Sequence, residues 1–172
     1  MMRLHIILGA LLLANGAFAQ KAAAPSGTPA SGGKQTTVKL KVPPLPPSTD
    51  EYLVAQLADA KWMPANKLDA KIPAGADVAL IGADPMSTGV TMYMRTKAGY
   101  KLPAHSHIHL EYDTVIAGKG SYVVDGKKIA AVPGTFIVVP SKAKHEFSCD
   151  AGAECVVVVR RSGPTEYNWA TK

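Results

Sequence analysis

Between Gly99 and Gly120 the chain reads GYKLPAHSHIHLEYDTVIAGKG, which places His105, His107, His109 and Glu111 at alternate positions. A buried imidazole needs a partner for both ring nitrogens or it loses free energy. Any fold for this sequence therefore has to find partners for several rings at once, and ligation of a metal ion does so most economically. His105 and His107 are two residues apart, so on a strand they point to one face about 7 Å apart at the backbone, close enough for both rings to reach one ion. The chain has five histidines. His5 lies in a stretch read below as a leader, which leaves His145 as the remaining candidate.

The first residues read as an export signal. Arg3 gives a short basic start, Ile6 to Leu13 an apolar run, and Ala17-Phe18-Ala19 a small-residue exit before Gln20. The run is too short for a bilayer, which needs about 20 residues, so residues 1–19 are expected to be a signal peptide and not an anchor. The leader has no cysteine on which to build a lipid anchor. The expected location of the mature chain is periplasmic or secreted.

Residues 20–47 are rich in Ala, Pro, Ser, Gly and Thr and end in Val42-Pro43-Pro44-Leu45-Pro46-Pro47. Too little apolar surface is available to offset the ordering entropy, so this stretch is expected to be a flexible linker with a stiffer polyproline end. The rest of the 172-residue chain, 47% hydrophobic and 19% charged, is enough for one core and one domain over 48–172. The net charge of +6 is spread over scattered lysines, with no dense basic run interleaved with aromatics. Nucleic acid is therefore not an expected partner.

Ser48 followed by Glu51 fits a capping box, and Leu53 with Leu57 has helical spacing, which predicts a short helix from Ser48 to about Ala60. From Asp77 onward the pattern changes to short extended runs: 78–81, 90–96, 111–117, 121–124, 127–131, 136–139, 145–149 and 155–159. Asp125-Gly126 joins two of them and is a strong hairpin signal. Strands at this spacing without helical patterns between them predict an antiparallel sandwich or barrel. Met92 and Met94 share a face with Val90 and read as packing. Cys149 and Cys155 flank Asp-Ala-Gly-Ala-Glu, a turn-forming loop, and export favours a cross-strand disulfide between them. The alternative is that Cys149, four residues after His145, is a free thiol near a metal.

Two spaced motifs resemble the cupin superfamily, in particular its small single-domain bacterial members of the cupin 2 kind. Gly99, His105, His107, Glu111 and Gly118 have the spacing of the first motif; Gly134, Pro140 and His145 resemble the second. Lys142 stands where the second motif usually has glycine and Cys149 where it usually has asparagine, so the turn and strand end there are expected to differ. The resemblance implies an all-β double-stranded β-helix, the jelly-roll barrel, holding one divalent transition metal on His105, His107, Glu111 and His145. On a straight strand Glu111 would lie roughly 20 Å from His105, so the chain has to bend between Ile108 and Leu110, and barrel closure has to bring in His145.

Such a donor set suits Fe, Mn, Ni, Cu, Co or Zn alike and leaves open coordination positions. His109 is expected to support the site from behind or to lie at the surface. Tyr93, Arg95, Asp113, Arg160 and Arg161 also lie in strands. Arg95 and Arg160 are the candidates for contact with a substrate, against the plainer reading of a solvated outer face. The functional expectation is a metalloenzyme acting on a small organic molecule, oxygenase chemistry first by resemblance. The alternatives are a cupin isomerase, lyase or decarboxylase, and a non-catalytic binding or sensing barrel. Exposed strand edges make a homodimer plausible.

Overall fold

The computed structural model describes residues 36–37 and 53–170. The leader, most of the linker, the boundaries at 19/20 and 47/48 and the capping box at Ser48 lie outside the described residues. In chain order the strands are β1 (Thr36–Thr37), β2 (Met63–Pro64), β3 (Ala76–Ala83), β4 (Val90–Thr96), β5 (Lys101–Ser106), β6 (Glu111–Ala117), β7 (Gly120–Val124), β8 (Lys127–Ala131), β9 (Phe136–Val139), β10 (His145–Cys149), β11 (Cys155–Arg161) and β12 (Glu166–Trp169). They form two six-stranded antiparallel sheets, ordered β1-β12-β5-β10-β7-β8 and β2-β3-β4-β11-β6-β9. This is the jelly-roll architecture expected for a cupin. Within the expected linker, Thr36–Thr37 pairs with Glu166–Tyr167, so those two residues are attached to a sheet edge.

The alternation along the strands decides what is inside. On β11, Cys155, Val157, Val159 and Arg161 are buried while Val156, Val158 and Arg160 lie further out. On β6 the inward row is Glu111, Asp113 and Val115. One end of the interior is apolar, built from Leu68, Val78, Met92, Phe147 and Val157, each buried side chain contributing about 1.5–3 kcal/mol. The other end carries the polar members of the same inward rows. The β7–β8 hairpin turns on Asp125 and Gly126, with φ of 46° and 81°, the doubly positive conformation that this dipeptide accepts at low cost.

The short helix expected over 48–60 is not formed in its described part. Residues 53–56 have no regular structure and Leu57–Asp59 make one 3-10 turn. Leu53 and Val54 face water, so no apolar stripe is buried to sustain a helix. The segment instead runs along the outside of the β3–β4 sheet, where the Tyr93 hydroxyl donates to the Ala55 carbonyl at 2.8 Å and Arg95 lies 4.4 Å from the Trp62 ring centre.

The two motif departures, where the turn and strand end were expected to differ, come out differently: the turn at Lys142 keeps a glycine-like backbone, whereas the end of β10 carries a disulfide. Lys142 itself adopts φ 65°, the left-handed conformation that glycine usually serves. Its amide donates to the His107 carbonyl at 2.7 Å, a tertiary bond that helps offset the strain. Cys149 ends β10 with its sulfur 2.06 Å from that of Cys155, Cα atoms 5.9 Å apart, joining the ends of strands in opposite sheets. Closing a loop of sequence separation 6 is worth roughly 2 kcal/mol by chain entropy. Thiol titration in denaturant without reductant is expected to find no free cysteine. Double replacement Cys149→Ala/Cys155→Ala should lower unfolding free energy in a denaturant titration by about 2 kcal/mol; an unchanged midpoint would rule out a stabilising bond.

Candidate metal centre

The histidine stretch is split between the two sheets. β5 ends at Ser106, residues 107–110 cross over, and β6 begins at Glu111, so the chain bends where the ligand distances require. His145 on β10 is directly opposite His105 on β5. On the other sheet Glu111 lies between Val139 of β9 and Arg161 of β11. Four side chains from three strands and one crossover thus converge, each at most 4% exposed.

Ligand-type nitrogens of His105, His107 and His145 all lie within 4.8 Å of one another. Glu111 closes the group, with one carboxylate oxygen, Oε2, 3.4 Å from His107 Nε2 and the other, Oε1, 3.5 Å from His145 Nε2. The backbone selects the tautomers. His105 Nδ1 donates to the Pro103 carbonyl at 2.7 Å, His145 Nδ1 to the Ala143 carbonyl at 3.0 Å, and His107 Nδ1 to the Glu166 carbonyl. A carbonyl only accepts, so each Nδ1 carries the proton and each Nε2 keeps a free lone pair. Among the described residues, His107 Nε2 and His145 Nε2 are buried without a hydrogen-bond partner, a costly state that an ion between the rings would relieve. The residues present therefore fit a divalent metal, and the carbonyl partners would fix the rings toward it.

Charge is arranged to match. Burial, with the charges of neighbouring groups, lowers His105 to about 3 and His107 to about 2, which keeps both rings neutral. Burial alone would raise Glu111, but the Arg161 guanidinium, with Nη2 2.5 Å from Oε2, and the nearby His145 and His107 hold it well below the usual carboxylate range. Asp113, the next inward residue on β6, is pushed well above its usual range by burial and by the Glu111 charge. Tyr122, also buried, is pushed up by burial and by Asp113.

The remaining sequence candidates fall elsewhere. His109 is half-buried in the crossover with its ring packed against Gly163, where a Cβ would lie 2.4 Å from Nδ1; it is not among the clustered imidazoles. Arg95 is at the outer face, paired with Asp77 at 3.1 Å. Arg160 is exposed beside the Tyr112 ring. Of these two arginines and one histidine none enters the cluster, whereas Arg161, one position on from Arg160, does. Two supports went unnoticed in the sequence. Glu166 accepts His107 through its carbonyl and the Ile108 amide through its carboxylate. Tyr167 and Trp169 stack on each other, 5.5 Å between centroids at 10°, and both approach His105. The alternation of Tyr167 and Trp169 was the available signal for β12.

Residues 92–159 match the cupin domain family Cupin_2. Solved structures of similar fold include a cupin 2 conserved barrel domain protein from Rhodopseudomonas palustris (18% identity, TM-score 0.56, covering 66% of this chain and 79% of that one). A cupin-2 domain protein from Rhodospirillum rubrum is similar at 15% identity and TM-score 0.57, over 74% and 84% of the two chains. The polyketide cyclase RemF from Streptomyces resistomycificus is similar at 17% and 0.56, over 71% and 87%. No curated protein matches the sequence. The two motifs, the paired jelly-roll sheets and the family match agree: the stretch 92–159 matches a cupin domain of the cupin 2 kind, and the barrel has the fold of cupin-2 domain proteins.

Proposed function

We propose that this chain is an exported metalloenzyme that holds one divalent transition metal on His105, His107, Glu111 and His145 and acts on a small organic molecule, with oxygen-dependent oxidation the first reaction to test. The observation that carries the metal assignment is the set of three Nδ1–H groups donating to carbonyls, which leaves Nε2 lone pairs free on three buried rings whose ligand nitrogens lie within 4.8 Å of one another, beside an ionised carboxylate. Bound there, a divalent ion would supply Lewis acidity and open coordination positions for small donors. The protein's part is to keep the imidazoles neutral, hold Glu111 ionised and shield the site from bulk water. Oxygenase chemistry rests on family resemblance alone. Other cupin folds, such as the polyketide cyclase above, show that the barrel is not tied to one reaction.

A second reading has its own support. The cavity bordered by His105, Glu111, His145 and Arg161 has a volume of only about 30 Å³, which suits an ion with a few small ligands and fits a binding or sensing barrel. Anaerobic loading with Fe(II), then oxygen-uptake measurements with diketones, phenolics and thiols, separates the two. Uptake above the metal-only rate supports the enzyme; none with any metal favours the binding module. Export is tested by amino-terminal sequencing of the protein from a periplasmic or secreted fraction, expected to begin at Gln20. A homodimer would suit the β9 edge, where Phe136 is 63% and Val138 45% exposed; sedimentation would show it.

Removal of single donors should grade the metal affinity. His145→Ala is expected to abolish stoichiometric metal retention after gel filtration, and Glu111→Gln to weaken binding about 10–100-fold in a chelator competition. Retention of full metal content by both would end the four-donor assignment.

The neutral imidazoles also predict a pH dependence of the metal-free fold. Between pH 6.5 and about 3 the unfolded chain protonates His105 and His107 while the folded chain does not, so stability rises with pH across that window and is lost as pH falls. Asp113, held protonated when folded, acts in the opposite direction, so an Asp113→Asn variant isolates the contribution of the histidines. Each proton of difference is worth roughly 1.4 kcal/mol per pH unit. Denaturant unfolding of Asp113→Asn with chelator present should therefore give a stability about 4 kcal/mol lower at pH 5 than at pH 7.5, two protons over about 1.5 pH units. A flat profile would contradict the burial of neutral rings.

A further inference from the structure

Arg161 has more hydrogen-bonding capacity than its surroundings use. It is 4% exposed, and Nη2 is engaged by Glu111 Oε2. Among the described residues Nε and Nη1 have no hydrogen-bond partner. Unsatisfied N–H groups on a buried cation are expensive. The side chain borders the same small cavity as His105, Glu111 and His145, with Tyr167, Tyr100 and Leu102 also on its wall.

Its position beside a metal site sharpens the problem. A dication placed among His105, His107, Glu111 and His145 adds positive charge next to a buried guanidinium, in a medium where like charges repel more strongly than in water. Water in the cavity would satisfy N–H groups but not charge. A planar oxyanion does both, because a guanidinium edge matches a carboxylate fork and carboxylate oxygens also suit a first-row metal. The volume of about 30 Å³ admits a group of a few heavy atoms.

We propose that Arg161 and the metal site together form a binding site for a small carboxylate, or for the carboxylate head of an organic acid, and that metal and anion bind cooperatively. This rests on the metal assignment above and names the ligand class for that site. Arg161 holds the anion by its unused N–H groups while Nη2 keeps Glu111 in place. Binding linkage is reciprocal, so an anion that bridges Arg161 and the ion tightens metal binding by the same factor that the metal tightens anion binding.

The test uses chelator-stripped full-length protein titrated with Co(II), followed by calorimetry and by the visible cobalt bands. Sodium formate is compared with sodium chloride at equal ionic strength and with neutral formamide. Formate is expected to raise Co(II) affinity at least about 5-fold, within the usual range of coupling, and to change the visible bands, while formamide does neither. Arg161→Met should reduce the formate effect to below 2-fold, and Arg161→Lys should retain part of it. If Arg161→Met does not fold, the wild-type comparison and the lysine variant decide. Co(II) binding without a formate effect, or with an equal formate effect in Arg161→Met, overturns the anion site and leaves the metal assignment standing. No Co(II) binding in any buffer overturns both.

Discussion

The crossover from His107 to Leu110 is the constraint on which the site depends. Strand geometry separates residues by about 3.3 Å, so an uninterrupted strand would carry Glu111 far from His105. The chain instead leaves one sheet after Ser106 and enters the other at Glu111. Four contacts pin it. The Lys142 amide donates to the His107 carbonyl at 2.7 Å and the Ser162 amide to the Leu110 carbonyl at 3.0 Å. The Ile108 amide donates to the Glu166 carboxylate, and the Ser141 hydroxyl to the Ile108 carbonyl. These partners come from the β9–β10 and β11–β12 connections and from β12 itself. The crossover is therefore fixed by the whole polar end of the fold, and Lys142 stays left-handed because it is one of the partners.

How much of this was legible follows from the type of signal. β4, β6, β8, β9 and β10 have the bounds read from the sequence, because short extended runs with a Gly, Pro or Asp against at least one end mark them. β5 was only implicit in the spacing of His105 and His107. β12 was not read: Glu-Tyr-Asn-Trp is short, follows Gly163-Pro164, and its first residue is a charge normally exposed. Glu166 is buried because the crossover supplies an amide for it, and such a partner is visible only in three dimensions. The helix at 48–60 failed in its described part because spacing alone cannot say whether a face has anything to bury against.

The site divides along the same line. The four residues that cluster could be named from motif spacing, and the need for a bend from distance alone. Arg161 could not be separated from Arg160, since four consecutive valines precede them and valine suits both faces of β11. Pairing with β6 settles it: Arg161 is opposite Glu111 and Arg160 opposite Tyr112. One position decides whether a guanidinium is solvated beside an aromatic ring or buried against a carboxylate.

That burial also shapes what the site offers an ion. In many small metal sites the donors must lose protons and come together as the metal binds, so binding and folding are one process. Here the carbonyls of Pro103, Ala143 and Glu166 have already assigned the imidazole protons, and Arg161 already holds Glu111 ionised. A buried ion pair of this kind adds little net stability, while loss of one partner leaves an uncompensated charge that costs several kcal/mol. Arg161 is therefore better understood as fixing the state of Glu111 than as holding the sheets together. Glu111 Oε2 lies 2.5 Å from Arg161 Nη2 and 3.4 Å from His107 Nε2, and Oε1 lies 3.5 Å from His145 Nε2. The carboxylate is thus set between the two imidazoles before any ion arrives, and it would hold one together with them without first changing its protonation or its place.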